Sequence, residues 1–113
     1  MATKKTTKQP AKRNQYIVLV SFDNHFGDND TYHVGPFDTK KAARKAAADE
    51  LTTILGYWDC LDGDEIKYDA LEEHPFKGKT IDEVVNRIAS SNKEEFEFIT
   101  GRDDWCKASV SSL

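Results

Sequence analysis

Apolar side chains run almost without a break through residues 16–22, and three of them are β-branched. Such a run is typical of a strand whose two faces are both at least half covered, so it predicts a central strand of a sheet. A polar loop over residues 23–30 separates this strand from a second extended stretch at residues 31–34, which predicts a hairpin with a long connection. If Val20 pairs with Tyr32, one face of the pair is apolar along its whole length.

A corner and a helix follow the hairpin. Proline has no N–H for a strand ladder, so Gly35-Pro36 is predicted to end the second strand, and Asp38 is predicted to cap the next helix. Apolar side chains then recur at spacings of three and four, which indicates an amphipathic helix that ends near Gly56. The apolar positions of this helix are Ala43, Ala47, Leu51, Ile54 and Leu55.

The second half of the chain continues the alternation of strands and helices. Residues 65–71 alternate between apolar and charged side chains and predict a half-exposed strand. Thr80 and Glu83 have the spacing of a capping box, and the apolar stripe that follows predicts a second helix. Residues 95–100 and 105–110 predict a last hairpin.

The order of elements is therefore ββαβαββ, in a chain of 113 residues whose length favours one domain. We predict an α+β fold in which a mixed, mostly antiparallel sheet carries both helices on one face. Residues 15–113 are predicted to form this domain. Residues 1–14 contain no large aliphatic side chain after Met1, so they are predicted to be a disordered tail.

Charge divides the chain into two unlike parts. The formal net charge is −4, but the first thirteen residues contain five cations and no acid, so the remaining hundred carry a net charge of −9. The five cations are Lys4, Lys5, Lys8, Lys12 and Arg13. Such a tail is able to neutralise phosphates and give weak, salt-sensitive attachment to nucleic acid, although the acidic body repels the same polyanion.

The sequence also indicates the compartment. No stretch approaches the roughly 20 apolar residues of a membrane span, and no apolar core follows the basic start as in a secretory signal. We therefore expect a cytoplasmic protein without a membrane partner. Cys60 and Cys106 belong to no CxxC pair, so we interpret them as reduced, partly buried apolar side chains, with a disulfide as the alternative.

Three features of the sequence resemble reactive sites: a loop rich in metal-binding groups, a phosphate-loop-like motif and the histidines. The first loop is rich in groups that bind divalent metals, but their spacing matches no calcium loop, and turn chemistry explains them. Gly78-Lys79-Thr80 resembles the end of a phosphate-binding loop, yet Glu73 stands where that motif needs a glycine. No histidine has a serine or cysteine partner in a recognisable motif. The metal-binding groups of the first loop are Asp23, His25, Asp28, Asp30 and His33. The sequence predicts neither an enzyme nor a cofactor or metal.

The middle of the chain is strongly acidic, with seven acids in fifteen residues offset only by Lys67. These acids are Asp59, Asp62, Asp64, Glu65, Asp69, Glu72 and Glu73. One interpretation is an ordinary solvated face. The other is a surface that docks on a basic groove of a protein partner, by imitating a phosphate backbone.

These observations favour a non-enzymatic, small acidic interaction protein that binds a protein partner through the acidic middle. Its size and charge, rather than particular residues, suggest an inhibitor or adaptor of the type that phages and other mobile elements encode. Large aromatics in or beside loops are candidate contact anchors, with burial in the core as the alternative. They are Phe26, Trp58, Phe76 and Trp105. The alternative function is a nucleic-acid-associated protein that uses the basic tail.

Overall fold

The computed structural model describes residues 15–67, 76–101 and 103–113, and the structural statements below concern these residues. The elements are β1 (Tyr16–Asp23), β2 (Asn29–Phe37), α1 (Lys40–Tyr57), β3 (Leu61–Asp62), β4 (Glu65–Ile66), α2 (Ile81–Ser90), β5 (Glu95–Ile99) and β6 (Trp105–Ser112). Four strands form an antiparallel sheet in the order β2-β1-β6-β5, and β3 and β4 form a separate small hairpin. The predicted single α+β domain with two helices is confirmed.

The first strand is central, as its apolar run predicted. β1 pairs with β2 on one side and with β6 on the other. Val20 lies opposite Tyr32 in β2 and opposite Ala108 in β6, so the expected hairpin register is confirmed. Val18 and Val20 are fully buried and form the middle of the apolar face.

Both helices cover this apolar face. Ala43, Ala47 and Ala48 on α1 are completely buried, and their small side chains let the helix lie close to β1 and β6. α2 packs beside α1 and runs in the opposite direction. A hydrogen bond from Nε of Arg44, near the start of α1, to the carbonyl of Lys93, just after the end of α2, shows this direction. None of the described helices combines the length and apolar character that a membrane span requires.

The strand predicted at residues 65–71 differs from the structure. In its described part, residues 65–67, Glu65 and Ile66 are extended, and they pair with β3 rather than with the main sheet. The reason is a tight turn in which Gly63 adopts a φ of +64°, so that the chain folds back on Leu61. Residues 68–75 lie outside the described residues.

The corner between β2 and α1 also differs in detail. The helix cap is Thr39 rather than Asp38, since the Thr39 hydroxyl accepts the N–H of Ala42 at 3.0 Å. Asp38 instead accepts a hydrogen bond from the side chain of Gln15 at 3.4 Å. β2 continues through Gly35-Pro36, where the register with β1 shifts by a bulge, so the proline lies where an edge strand tolerates it.

The capping box at the start of α2 is present as predicted. The Thr80 hydroxyl accepts the N–H of Glu83 at 3.2 Å, and the Glu83 carboxylate accepts the N–H of Thr80 at 2.8 Å. These reciprocal bonds satisfy two backbone donors that the first turn of a helix leaves without an internal partner. The same threonine forms an isolated bridge with Glu65, so this cap also joins α2 to the small hairpin.

Replacement of Thr80 by alanine removes one of the two cap bonds and is expected to lower the free energy of unfolding by about 1 kcal/mol. Urea denaturation followed by circular dichroism measures this change. Ser90→Ala, at the exposed far end of the same helix, is the matched control and should change the value by less than about 0.5 kcal/mol. Equal losses in the two variants would contradict a specific role of the cap.

Candidate functional site

The sheet brings two turns together at one end. β1 ends at Asp23, which lies opposite Asn29 at the start of β2 and opposite Trp105 at the start of β6. β5 ends at Ile99, also opposite Trp105. The turn over residues 24–28 and the turn over residues 100–104 therefore lie side by side, although about 75 residues of chain separate them.

The first helix ends at the same place. The ring of Trp58, just after α1, meets the ring of Phe22 near the end of β1 edge to face, with centroids 6.1 Å apart. Asp59 follows directly and adopts a left-handed φ of 60°. The chain then enters the small β3–β4 hairpin, whose Asp64 carbonyl accepts the N–H of Ile81 at the start of α2.

This arrangement collects carboxylates from four separate connections, and we call the set the acidic end. Seven of its nine side chains are exposed, and Asp23 and Asp104 are half-buried. The acidic end consists of Asp23, Asp28, Asp30, Asp59, Asp62, Asp64, Glu65, Asp103 and Asp104.

Four of the seven acids predicted to bind a partner belong to the acidic end, and all four are exposed: Asp59, Asp62, Asp64 and Glu65. The other three, Asp69, Glu72 and Glu73, lie outside the described residues. So do the five cations of the tail, Lys4, Lys5, Lys8, Lys12 and Arg13.

The carboxylates of the two turns that meet through the sheet were not predicted to belong to this surface. Those of the first loop are explained in the sequence by turn chemistry alone, and Asp103 and Asp104 by a hairpin turn. The sequence did contain a relevant pattern of strands. Two strands that both run antiparallel to one central strand begin at the end of the sheet where that strand stops, so the turns that precede them lie together. Using that pattern required knowing that β6 pairs with β1, which no local pattern indicates.

A buried amide shapes the first of these turns. Asn24 is 7% exposed, and its side-chain oxygen accepts the N–H groups of Phe26 and Asp28, each at 3.0 Å. Gly27 follows with a φ of +88°, which a larger residue adopts only under strain. The turn thereby holds the Phe26 ring in solvent, where it is 79% exposed.

His25 joins this turn to the second one. Its main-chain N–H donates to Oδ1 of Asp104 at 2.8 Å, and its ring Nδ1 lies 2.9 Å and 3.0 Å from the two carboxylate oxygens. Partial burial raises the pKa of Asp104, but the hydrogen bonds from His25 outweigh burial, so the net effect is a pKa below the usual value. Two loops that carry like charges are thus fastened to each other.

A cleft of about 740 Å³ opens between β2 and the second half of α1. Apolar atoms of Phe22, Ile54 and Trp58 line it, and carboxylates of Asp28, Asp30 and Glu50 lie along it. The Tyr32 hydroxyl donates to Glu50 at 2.5 Å across the cleft. Burial, together with this hydrogen bond, raises the pKa of Tyr32 well above its usual range, so the hydroxyl stays protonated.

The aromatic residues divide between surface and core. Phe26 is exposed as a contact anchor would be, whereas Trp58 and Phe76 pack partly against the core and Trp105 is half-buried. Tyr57, at the last turn of α1, is 84% exposed, although its sequence position did not mark it as a contact anchor. Phe26 and Tyr57 therefore present large apolar side chains beside the carboxylates.

Two kinds of reactive group were considered in the sequence, metal ligands and cysteine thiols, and the structure describes both. Among the described residues, no three histidine, cysteine or carboxylate side chains are grouped so as to hold a metal ion. Cys60 and Cys106 are buried and form no disulfide, and burial raises the pKa of Cys106 to about 12. That thiol therefore stays protonated at neutral pH and is not an activated nucleophile.

The opposite end of the molecule is basic. α1 begins there, and Lys40 lies 6.0 Å from the ring of Tyr16 at the start of β1 and forms an ion pair with Glu94 at 2.9 Å. The first two turns of α1 carry four cations: Lys40, Lys41, Arg44 and Lys45. Gln15 lies at the same end, beside Asp38, and these cations are separated from the acidic end by the length of α1.

Comparison of the sequence with protein-family models and with curated proteins, and of the fold with solved structures, gives no significant match. The features of the molecule that bear on its function are therefore the acidic end, the cleft beside it and the exposed aromatic side chains.

Asp104→Asn is expected to lower the free energy of unfolding at neutral pH by about 1 kcal/mol, because it weakens charge-assisted hydrogen bonds from His25. The folded pKa of Asp104 is lowered, so this stabilisation is present above the unfolded pKa and is lost as pH falls through the folded value. Urea denaturation should show the difference between variant and parent disappearing between about pH 5 and about pH 2.

The matched control for that experiment is Asp103→Asn, which removes an exposed charge from the neighbouring position of the same turn. It is expected to change the free energy of unfolding by less than about 0.5 kcal/mol at either pH. A pH-independent loss in Asp104→Asn would contradict the fastening role of the carboxylate.

Proposed function

We propose that the protein is a non-enzymatic interaction protein of inhibitor or adaptor type, and that its acidic end binds a basic surface on a protein partner. The observation that carries the proposal is the collection of carboxylates from four connections at one end of the sheet. An ordinary solvated face does not require carboxylates from several separate connections to lie together. Exposed like charges held together repel one another, and a cationic surface relieves that repulsion when it binds.

The exposed aromatic side chains support the same proposal. Phe26 and Tyr57 are almost fully exposed, and such rings contribute most to binding when they enter a pocket of a partner. The ring of Phe26 lies against that of His25, with centroids 3.9 Å apart. Because His25 is itself bonded to Asp104, the Phe26 ring is positioned before a partner arrives.

A basic groove of the kind that holds nucleic acid is the partner surface that best fits these features. Carboxylates spread over several turns can occupy sites that phosphates otherwise occupy, while the aromatic rings take positions open to bases. Binding of this type is expected to weaken as salt rises, because the charges that approach are exposed and screened.

The test reverses charge at the acidic end. Asp62→Lys combined with Asp64→Lys should weaken binding of the partner at least about tenfold, since both side chains are exposed and neither change removes core contacts. The partner is captured from extracts of the source cells on the immobilised chain, identified by mass spectrometry and purified. Its Kd for each variant is then measured by calorimetry at two salt concentrations.

The matched control is Glu95→Lys combined with Glu97→Lys, which changes the net charge equally on an exposed strand of the sheet. This control should leave the Kd within about threefold of the parent. Equal weakening by both pairs would indicate a response to net charge only, and no weakening by either would exclude the acidic end. Each of these results would overturn the proposal.

A second candidate function is attachment to nucleic acid through the basic end. It is favoured by one observation: the four cations that begin α1 lie at the same end as Gln15, to which the basic tail is joined. Cations from helix and tail together could neutralise successive phosphates of a duplex. This function uses the opposite pole, so it is independent of the first.

Gel-shift titration with duplex DNA at about 20 mM salt tests this candidate. The full chain should bind, and a chain beginning at Asn14 should lose most of that affinity. Lys41→Glu combined with Lys45→Glu should weaken binding at least about tenfold further. Absence of binding by the full chain at low salt would rule the candidate out.

A further inference from the structure

β2 is an edge strand of the main sheet. Within the described residues it pairs with β1 on one side, and no described strand pairs with its other side. The hairpin ladder begins with a hydrogen bond of 3.0 Å from the N–H of Asn24 to the carbonyl of Asp28. In an antiparallel ladder, bonded and non-bonded pairs alternate along the strands. That first bond therefore fixes the direction of every later main-chain group in β2.

Counting by two from the turn, Asp30 and Tyr32 belong to bonded pairs, whereas Asn29, Thr31 and His33 belong to non-bonded pairs. The main-chain N–H and C=O groups of the second set point away from β1. They form a row of donors and acceptors on the free edge, over a stretch of about 14 Å at the usual rise per residue.

Two contacts of Thr31 agree with this assignment. Its hydroxyl lies 3.3 Å from that of Ser21 across the hairpin, a separation that suits the closer side chains of a non-bonded pair. Its main-chain N–H donates to Oδ1 of Asp30 at 2.8 Å. An outward donor is thus satisfied, among the described residues, by the carboxylate of the preceding residue, which can be exchanged for the carbonyl of another strand.

The free edge borders the cleft between β2 and α1. α1 lies mainly over β1 and β6, so β2 extends beyond the helix and the cleft opens between them. An added strand would place alternate side chains in the cleft, alongside Asp30 and Tyr32. This is the geometry of a peptide held between a sheet edge and a helix.

The charges of the cleft indicate the chemistry of its occupant. Asp28, Asp30 and Glu50 line it, and no described lysine or arginine does. The apolar side chains of Phe22 and Ile54 belong to the same lining. A complementary strand carries cationic side chains at two cleft-facing positions with an aliphatic one between them.

We propose that an extended segment of the protein partner adds to the sheet along β2, with its cations against the cleft carboxylates and an aliphatic side chain over the apolar floor. The inference rests on the proposed function and names the element that the acidic end recognises. The main-chain bonds to Thr31 and His33 fix the direction and register of the segment, and the cleft selects its side chains.

The test uses a synthetic heptapeptide, acetylated and amidated, of sequence Ser-Lys-Thr-Leu-Thr-Lys-Ser, titrated into the ¹⁵N-labelled full chain. Amide signals of Thr31 and His33 should shift and their hydrogen exchange should slow. Methylation of the nitrogens of the two peptide threonines, which would pair with β2, should weaken binding at least about tenfold. Methylation of the leucine nitrogen, which would point to solvent, is the matched control and should change Kd by less than about threefold.

Charge selection is tested with the same peptide carrying glutamate in place of both lysines, which should bind at least about tenfold more weakly. In the protein, Thr31→Pro removes the outward N–H and should weaken binding of the lysine peptide to the same extent. Thr31→Val loses the same hydroxyl contact with Ser21 but keeps the N–H, so it should bind like the parent. If Thr31→Pro does not fold, the methylated peptides on the parent chain decide.

Equal affinity of the two methylated peptides would overturn strand addition. If Asp62→Lys with Asp64→Lys then still weakens binding of the natural partner at least about tenfold, the acidic end remains the binding surface and only the mode of recognition is wrong. Two other occupants would also overturn the proposal. If deletion of residues 1–13, with no other change, tightens peptide binding at least about tenfold, the cleft is assigned to the chain's own tail. Protection of the same amides in a concentration-dependent dimer assigns it to a second copy.

Discussion

The structure depends on one strand that is paired along both edges while one of its faces lies beneath a helix. Val18 and Val20 of β1 have no exposed surface, because β2 and β6 flank them and the alanine face of α1 covers them. Small side chains on the helix permit that close approach. Once β6 is fixed beside β1, the turns that begin β2 and β6 must meet, and the acidic end follows from the topology.

The acidic end is ordered by few groups. A buried amide holds one turn, and a histidine joins it to the other, while most of the carboxylates lie exposed to solvent. Order of this kind reduces the entropy that a partner would otherwise have to remove on binding.

Local patterns predicted much of the fold. The strand and helix periodicities, the Val20–Tyr32 register and the Thr80 capping box depend on neighbours in sequence, and the structure confirms each of them. The strand predicted to begin at Glu65 pairs with β3 rather than with the main sheet, because a glycine turn at Gly63 closes a small hairpin first. The full acidic end was beyond the sequence because its turns meet only through the pairing of β1 with a strand near the other end of the chain.

The separation of charge along β1 has a consequence for how the molecule approaches other molecules. With cations at the start of α1 and carboxylates beyond its far end, the described domain carries a permanent electric moment roughly along α1. In the field of a charged surface, this moment turns the molecule before any side chain makes contact. Productive collisions then become a larger share of all collisions, so orientation raises the rate of association without changing the strength of the final complex.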